Sequence, residues 1–329
     1  MKYAKDTRPK GVSHKAAEVL VEALPWIKNI TGKTVVIKYG GSAMVDEQLR
    51  ADVMNDIVLL KIVGVNPVIV HGGGKAITEA MEFVNLPVEF KDGQRVTTPE
   101  AMDLVRTVLM GKVNQELVEA LNEHGNFAVG VAGADAGVIV AEQASPDLGR
   151  VGRITRINRP LLDDLVNADY IPVVASVALG EDGGFYNVNA DMVAGHIAAA
   201  IGAHKVVFLT DVDGLYENFE DKSTLISNLT LFEAQYLIEN VVSTGMIPKL
   251  KSCVTALDAG VFRAHILNGT TPHSLLLELL TSTGVGTTMH STEEACKFDA
   301  HPLGNFASKL LENREQAATQ AAAAERFVG

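Results

Sequence analysis

Two lysines of this sequence stand where a positive charge is costly. Lys38 closes the apolar run TVVIKY (34–39), and burying its ammonium costs several kcal/mol unless an anion meets it. Lys249 follows Pro248, a residue suited to the first turn of a helix, where a cation opposes the helix dipole. A phosphate shared by both lysines would relieve both costs, although Lys249 taken alone is equally consistent with a solvated side chain. Two lysines around a phosphate are suited to phosphoryl transfer.

Glycines follow two apolar runs of the chain. Gly40 and Gly41 come after TVVIKY, and residues 72–74 are the three glycines of PVIVHGGG. In parallel α/β sheets, ligands bind beyond the carboxyl ends of strands, where a helix N-terminus presents unpaired N–H groups. Without a Cβ, the backbone can approach phosphate oxygens closely. Either loop alone is explained equally well by a tight turn, but two loops of one design favour an anion site.

Polar residues alternate in the motif NVNAD, just before a predicted helix. Asn187, Asn189 and Asp191 precede a segment whose apolar face holds Val193 and Ile197. A helix cap and an Asp favoured by the helix dipole explain one or two of these residues. The presence of all three indicates a functional site.

The common phosphate-binding motifs do not fit this chain. GGGKAIT is not a Walker loop, because Ala76 stands where Ser or Thr would hold Mg²⁺ and Ile69 stands at the first glycine position. The third glycine of a dinucleotide fingerprint is replaced by Ile77, which argues against a nicotinamide dehydrogenase. A protein-kinase catalytic loop and a DFG motif are also missing from the sequence.

The elements that position these groups alternate between β-branched runs and helical patterns, which predicts an α/β fold with a mostly parallel sheet. A long helix is predicted over 99–124, with a break near Gly111 and a capping box of Thr97 and Glu100. A strand or hairpin leading to a helix is predicted over 149–165. The clearest strands are 34–39, 67–71, 127–133, 171–178, 205–210 and 265–269.

Composition limits the class of protein. A chain of 329 residues with 47% apolar residues can bury one large core or two lobes, and its charge of −12 argues against broad nucleic-acid binding. Cys253 and Cys296 lack metal-site spacing and are too few for a disulfide framework, which suits a reducing cytoplasm. No apolar run reaches the ~18 residues of a membrane span. The Ala-, Gln- and Glu-rich tail after Cys296 is predicted to be a solvated helix or disordered.

Seven motifs, in this order between about Ala17 and Met289, carry a family resemblance: KYGG, HGGG, QRVTTPE, NVNAD, LTDVDGLY, STGMIPK and HSLLLELLT…GVGT. The series resembles the amino-acid kinase family, most closely its arginine-inhibited N-acetylglutamate kinases. The resemblance implies a three-layer αβα sandwich of two lobes and transfer of the ATP γ-phosphoryl group to the γ-carboxylate of N-acetyl-L-glutamate. The product, N-acetyl-L-glutamyl 5-phosphate, belongs to the second step of arginine biosynthesis. The implied divisions are a helical extension (1–32), an acyl-amino-acid lobe (33–202), an ATP lobe (203–296) and the tail (297–329).

The resemblance also implies residue roles. Lys38 and Lys249 would flank the transferring phosphoryl group, with Asp191 holding both lysines. Because a carboxylate nucleophile is already ionised at pH 7, no general base is needed, and Mg²⁺ would be held by ATP oxygens and water. The implied phosphoryl contacts are Gly41, Gly73 and Gly74, and Arg95 and Asn187 would join Gly73 and Gly74 in holding the acid. The implied nucleotide contacts are Thr210, Asp211, Val212, Gly214, Leu215, Tyr216, Met246 and Lys249.

A helix predicted over 14–30 carries an apolar face of Val19, Leu20, Ala23, Leu24 and Ile27. It could pack on its own subunit, but the resemblance implies that it swaps between dimers in a hexameric ring, a trimer of dimers. Arginine, the implied inhibitor, would then bind at Trp26, His265, Glu278 and Gly284, with Trp26 at a position where relatives carry Tyr.

Two alternatives remain open at this stage. The substrate could be aspartate, glutamate or carbamate, or the chain could be a non-catalytic sensor on the same fold. Retention of Lys38, Asp191 and Lys249 together argues against a sensor, because a sensor has no use for a phosphoryl clamp.

Overall fold

The computed structural model describes residues 12–44, 46–240, 246–281 and 284–291. Its helices are α1 Val12–Ile30, α2 Glu47–Ile62, α3 Gly74–Phe83, α4 Pro99–Val108, α5 Gln115–Asn122, α6 Pro160–Asn167, α7 Ala190–Ile201, α8 Leu231–Asn240, α9 Ile247–Asp258 and α10 Ser274–Leu280. Its strands are β1 Thr34–Tyr39, β2 Asn66–His71, β3 Phe90–Lys91, β4 Gln94–Arg95, β5 Ala128–Ala132, β6 Ile139–Gln143, β7 Gly152–Ile157, β8 Ile171–Ala175, β9 Val177–Gly180, β10 Phe185–Asn187, β11 Lys205–Thr210, β12 Leu215–Tyr216, β13 Leu225–Ile226, β14 Asn228–Thr230, β15 Arg263–Asn268 and β16 Thr287–His290.

A central sheet of eight strands runs in the order β14-β16-β15-β11-β1-β2-β8-β5. All neighbours from β15 to β5 pair in parallel, whereas β16 is antiparallel to β15 and β14 is parallel to β16. A second sheet of four strands has the order β10-β9-β6-β7. The α/β class with a mostly parallel central sheet is therefore confirmed. Within the described ranges, no helix is both long enough and apolar enough to cross a membrane.

Both faces of the central sheet are buried, because side chains alternate along each strand. In β1, Val35 and Ile37 pack into one apolar cluster, whereas Val36 packs into the other. Helices α1 to α5 and α10 contribute to the first cluster, and α6 to α9 contribute to the second. The molecule therefore has the three layers expected of an αβα sandwich.

Two predicted elements differ in detail from the structure. The strand predicted over 171–178 is divided at Ser176 into β8 and β9, because the chain passes there from the central sheet to the second sheet. The helix over 99–124 is interrupted by a π-helical segment, Leu109–Asn114, which confirms the break near Gly111. The strand followed by a helix that was predicted over 149–165 is confirmed as β7 and α6.

The predicted cap of α4 is wrong by one residue. The side chain of Thr98, not of Thr97, accepts the N–H of Ala101. Thr97 is fully buried, and its hydroxyl donates to the carbonyl of Arg95 at 2.9 Å. The Thr97 hydroxyl is therefore bonded to the backbone of β4 and is not available to cap α4.

The helix predicted near the N-terminus is confirmed as α1, but only part of its apolar face is covered by the core. Ala23 and Ile27 pack against the core together with Trp26, on the side that faces α10. In contrast, the side chains of Val19, Leu20 and Leu24 are exposed. One apolar face of α1 is thus packed at Ala23, Trp26 and Ile27 and exposed at Val19, Leu20 and Leu24. The predicted tail after Cys296 lies outside the described residues.

Helix α2 is tied to the start of α10 by a carboxylate and a histidine. Asp56 is almost fully buried, and its Oδ1 lies 2.7 Å from Nδ1 of His273. Burial raises the pKa of Asp56 to about 6, and the hydrogen bond to Asp56 raises the pKa of His273. Both groups therefore bind protons more tightly in the folded chain than in the unfolded chain.

This pair should make stability decrease as pH rises. Its contribution is complete below the unfolded pKa of Asp56, near 3.8, and is lost as pH passes the raised pKa values of Asp56 and His273. We expect the free energy of unfolding of the wild type, relative to Asp56→Asn, to be larger at pH 5 than at pH 8. Urea unfolding at both pH values measures it, with the exposed-site variant Asp103→Asn as control. An equal difference at both pH values would contradict the assignment.

Candidate active site

Asp191 joins the two lysines singled out in the sequence. Oδ1 of Asp191 lies 3.1 Å from Nζ of Lys38, and Oδ2 lies 3.2 Å from Nζ of Lys249. Lys38 comes from the penultimate position of β1, Asp191 from the first turn of α7 and Lys249 from the first turn of α9. Because α7 packs against α9, three segments that are distant in sequence meet at one point. Lys251, also near the start of α9, is exposed.

The charge of this cluster is maintained inside the protein. The side chains of Lys38, Asp191 and Lys249 are only 11%, 8% and 17% exposed. Burial alone would raise the pKa of Asp191, but the two ammonium groups outweigh it and hold the pKa below its usual range. One carboxylate between two ammonium groups leaves a net positive charge, which suits an anion.

At two of the loop glycines, Gly41 and Gly73, a side chain is disfavoured by the structure. A Cβ on Gly40 would lie 2.8 Å from Nζ of Lys38, and one on Gly41 would lie 2.4 Å from Oδ1 of Asp211. Gly41 also has a φ of +78°, a conformation that side chains disfavour. A Cβ on Gly73 would lie 2.7 Å from a methyl group of Leu109. Gly41 and Gly73 are therefore restricted to glycine on steric or conformational grounds, whereas a Cβ on Gly74 would meet no atom within 4 Å, and the role of the loops toward an anion stays a prediction.

A cavity of about 920 Å³ lies beside Lys38 and the two glycine loops. Its size is within the range of small-molecule sites. Gly74 starts α3, whose N-cap residue Gly73 provides no side-chain hydrogen bond, so backbone N–H groups remain for a ligand. The wall of the cavity includes Lys38, Gly41, Gly73, Gly74, Lys75, Lys112 and Asp211.

Of the four residues predicted to hold the acid, Gly73 and Gly74 line the cavity, whereas Arg95 and Asn187 do not. Arg95 is buried and donates to the carbonyl of Gly74 at 2.8 Å and to the hydroxyl of Thr78 at 2.6 Å. Asn187 donates to the hydroxyl of Thr97 at 3.3 Å. Neither is among the described residues that line the cavity, so their role toward a carboxylate stays a prediction. The contacts of Arg95 with the first turn of α3 were not visible in the sequence.

The residues predicted to contact the nucleotide follow β11. Thr210 ends that strand, Asp211 lies on the cavity wall, and Leu215 and Tyr216 form β12. The intervening predicted residues are Val212 and Gly214. Met246 is half-buried and comes directly before α9, which carries Lys249.

Asp213, in the same segment, was missed by the sequence analysis. It accepts hydrogen bonds from the hydroxyl of Tyr216 and from the amide of Asn268, the latter at 2.9 Å. The hydrogen bond from Tyr216, followed by that from Asn268, lowers the pKa of Asp213. The segment after β11 is thus attached to the end of β15.

A second buried polar cluster lies under α10. Oε1 of Glu278 accepts from Nδ1 of His265 and from the hydroxyl of Thr288, each at 2.7 Å. Oε2 accepts the backbone N–H of Val285 at 2.7 Å. Gly284 has a φ of +53°, and a Cβ there would lie 2.9 Å from Oε2 of Glu278. Three of the predicted effector residues are therefore assembled, and the fourth, Trp26, is carried by α1, which packs on α10.

Lys205 belongs to this second cluster and was missed by the sequence analysis. It is buried at the start of β11, and its register partner is Arg263, two residues before His265 on β15. Burial, together with the charge of Arg263, lowers the pKa of Lys205 to about 8, although Glu278 opposes the shift. A lysine beside the apolar run VVFL is the same signal that identified Lys38, so it could have been found.

Two glycine loops follow the carboxyl ends of strands in a mostly parallel sheet, next to two lysines and one aspartate. This arrangement is that of a phosphoryl-transfer enzyme built without a P-loop. The model of the amino acid kinase family matches residues 33–268. The chain belongs to the amino acid kinase family.

Relatives of known activity are similar over most of the chain. Acetylglutamate kinase of Caldanaerobacter subterraneus subsp. tengcongensis is 50% identical over 274 residues, covering 82% of this chain and 92% of that protein. Acetylglutamate kinase of Corynebacterium glutamicum is 49% identical over 278 residues, covering 82% and 87%.

Solved structures share the fold. N-acetylglutamate synthase from Neisseria gonorrhoeae, complexed with coenzyme A and N-acetyl-glutamate, has a TM-score of 0.74 at 25% identity over 84% of this chain. The chain spans 63% of that synthase. Carbamate kinase from Giardia lamblia has a TM-score of 0.60 at 14% identity, covering 79% of this chain and 99% of that one, which is a likeness of fold alone.

Proposed function

We propose that the protein transfers the γ-phosphoryl group of ATP to the γ-carboxylate of N-acetyl-L-glutamate, giving N-acetyl-L-glutamyl 5-phosphate in the second step of arginine biosynthesis. The observation that carries the proposal is the Lys38–Asp191–Lys249 cluster, of which Lys38 lines the cavity and Asp191 and Lys249 lie next to it through their ion pairs. The acetylglutamate kinases that are about 50% identical support the choice of acid. Residues 33–202 would hold the acid and residues 203–296 the nucleotide. The cytoplasmic location stays a prediction.

The chemistry needs little from the protein beyond position and charge. A γ-carboxylate is ionised at pH 7 and attacks phosphorus without a base. Lys38 and Lys249 neutralise charge that develops on the transferring oxygens, while Asp191 keeps the two ammonium groups in place. The backbone N–H groups of Gly73 and Gly74 face the same anion at the start of α3.

Mg²⁺ supplies further charge neutralisation on the ATP phosphates. It would be held by ATP oxygens and water, as this ion usually is. In the described part of the chain, no group of three acidic, His or Cys side chains is placed to hold a metal. The cavity wall also carries carboxylates, and of these Asp211 belongs to the segment implied to contact the nucleotide.

Release of ADP with different acids tests the proposed substrate. We expect kcat/KM for N-acetyl-L-glutamate to exceed that for free glutamate, aspartate and carbamate. N-acetyl-L-aspartate, one methylene shorter, should react more slowly because its carboxylate cannot reach the same point. A larger kcat/KM for free glutamate or aspartate would refute the assignment.

Arg95→Ala should mainly raise the KM for the acid. Losing a hydrogen bond to a charged group costs roughly 1.5–3 kcal/mol, which corresponds to about a 10- to 100-fold rise. Initial rates at varied acid concentration measure it. The control is Lys91→Ala on the same β3–β4 hairpin, where the side chain is exposed and paired with Asp147. A normal KM in the Arg95 variant would remove it from substrate binding.

Arginine would inhibit from the second buried cluster. Glu278 already accepts hydrogen bonds from His265, Thr288 and Val285, so a guanidinium would bind it by replacing one of these donors. The buried ammonium of Lys205, whose pKa is lowered by burial, would be stabilised by an added carboxylate. Arginine carries both groups, and Trp26 on α1 would close the site. Inhibition requires that arginine bind one arrangement of subunits more tightly than another.

The exposed apolar residues of α1 would join dimers into a hexamer. Val19, Leu20 and Leu24 are 64%, 68% and 61% exposed, which leaves an apolar surface without cover in the monomer. We expect the double variant Leu20→Asp, Leu24→Asp to lower the mass in solution and to weaken arginine inhibition, while kcat stays near normal. Light scattering and arginine titration measure this, with the exposed Glu22→Ala as control. An intact hexamer with unchanged inhibition would refute the role of α1.

A further inference from the structure

His71 ends β2 and is fully buried next to the three glycines. Its Nδ1 lies 2.9 Å from the carbonyl oxygen of Gly72, and its Nε2 lies 3.0 Å from the amide nitrogen of Asn114. Neither the proposed reaction nor any comparison gives this histidine a role. His71 therefore links the buried Asn114 to Gly72 of the glycine loop.

The partners of Asn114 determine which ring nitrogen of His71 carries the hydrogen. Nδ2 of Asn114 also donates to the carbonyl of Val173, at 2.8 Å. Because one amide hydrogen serves Val173, the other points to Nε2 of His71, which must accept it. Nδ1 therefore carries the hydrogen and donates to Gly72. Burial supports this neutral form by lowering the pKa of His71 to about 4.

The hydrogen bond to Gly72 orients the next peptide N–H. In a trans peptide, the carbonyl of Gly72 and the N–H of Gly73 point in opposite directions. His71 holds that carbonyl on the interior side, so the N–H of Gly73 is turned toward the cavity that Gly72 and Gly73 line. We infer that His71 is a positioning residue that aims the Gly73 N–H at the transferring phosphoryl group. This rests on the proposed function.

The π-helical segment Leu109–Asn114 supports the same arrangement from behind. Its Asn114 contacts His71, and its Leu109 and Val113 are the side chains that a Cβ on Gly73 would meet first. Gly130 leaves space for Asn114, since a Cβ there would lie 2.1 Å from Oδ1 of the amide. A π-helical turn within a longer helix is often found at functional sites. The π-helical segment thus orients His71 through Asn114 and packs against Gly73 through Leu109 and Val113.

Two substitutions of His71 separate a positioning role from a structural one. His71→Leu keeps volume but removes the donor, whereas His71→Asn places an amide N–H near the position of Nδ1. We expect kcat to fall at least about tenfold in the Leu variant, with little change in the KM of either substrate, and to recover substantially in the Asn variant. His124→Leu, at an exposed histidine, is the control. Equal losses in both His71 variants, or a change in KM alone, would overturn the inference.

The tautomer of the wild type provides a test that does not depend on activity, and the His71→Asn variant is needed only to assign the signals. In wild-type protein labelled with ¹⁵N-histidine, His71 should show a protonated Nδ1 and an unprotonated Nε2 between pH 6 and 8, identified by loss of its signals in His71→Asn. A protonated Nε2 would overturn the inference even if the enzyme is active. If the wild type forms no product from N-acetylglutamate while the tautomer is as expected, the proposed function fails and the hydrogen-bond geometry stands.

Discussion

Replacing Lys38 with alanine should lower kcat about a hundredfold. The ammonium of Lys38 acts on charge that develops only in the transition state, and removal of one such donor costs ~3 kcal/mol. The KM of the acid should change little, because other groups bind the ground state. Steady-state kinetics with each substrate varied measure both effects. A fall in kcat of less than about threefold would contradict the role of Lys38.

Lys249→Ala should behave in the same way, because Lys249 contacts the other oxygen of the same carboxylate. Lys251→Ala is its matched control, since that lysine lies near the start of the same helix but is exposed. We expect Lys251→Ala to keep kcat within about twofold of the wild type. If both variants lose activity equally, the effect comes from the helix and not from the site.

Asp191→Asn should lower both activity and stability. Without the carboxylate, two buried ammonium groups face each other, and breaking a buried ion pair costs about 3–5 kcal/mol. We expect kcat to fall about a hundredfold or more, since neither lysine is held in place. Kinetics and thermal unfolding measure the two effects. Added phosphate should raise the Tm of this variant more than that of the wild type, because an anion can replace the carboxylate.

The control for Asp191 is Asp163→Asn. Asp163 also lies in the first turn of a helix and pairs with Arg159, but its side chain is 32% exposed and its partner is 50% exposed. Surface ion pairs contribute about 0–1 kcal/mol, so this variant should remain close to the wild type. A similar loss of stability in both variants would show that the Asp191 effect is a general helix effect.

The parts of the site that lie within single motifs could be predicted from the sequence. Lys38 could be found because a lysine in a buried strand needs an anion, and the glycine loops because the backbone must approach one. The mostly parallel sheet followed from alternating strand and helix patterns, for which local periodicity is sufficient.

The remaining features depend on contacts between distant segments, which no local pattern contains. The contact of Lys249 with Asp191, while Lys251 remains exposed, depends on how α9 packs against α7, and the capping role of Thr98 depends on the burial of Thr97 by another part of the chain. Likewise, the sequence predicts an apolar face on α1 but does not show that Ala23, Trp26 and Ile27 pack against the core while Val19, Leu20 and Leu24 remain exposed. Helical periodicity gives the residues that can share a face but not the surface that covers them.

The proposed reaction is tested most directly by the formation of an acyl phosphate, which hydroxylamine converts to a stable hydroxamate. Wild-type protein, MgATP and N-acetyl-L-glutamate should give a hydroxamate at a rate equal to ADP release, and Lys38→Ala should give about a hundredfold less. Glutamate, aspartate and carbamate should give far smaller rates under the same conditions. ADP release without hydroxamate, or a faster reaction with one of the three other acids, would contradict the account.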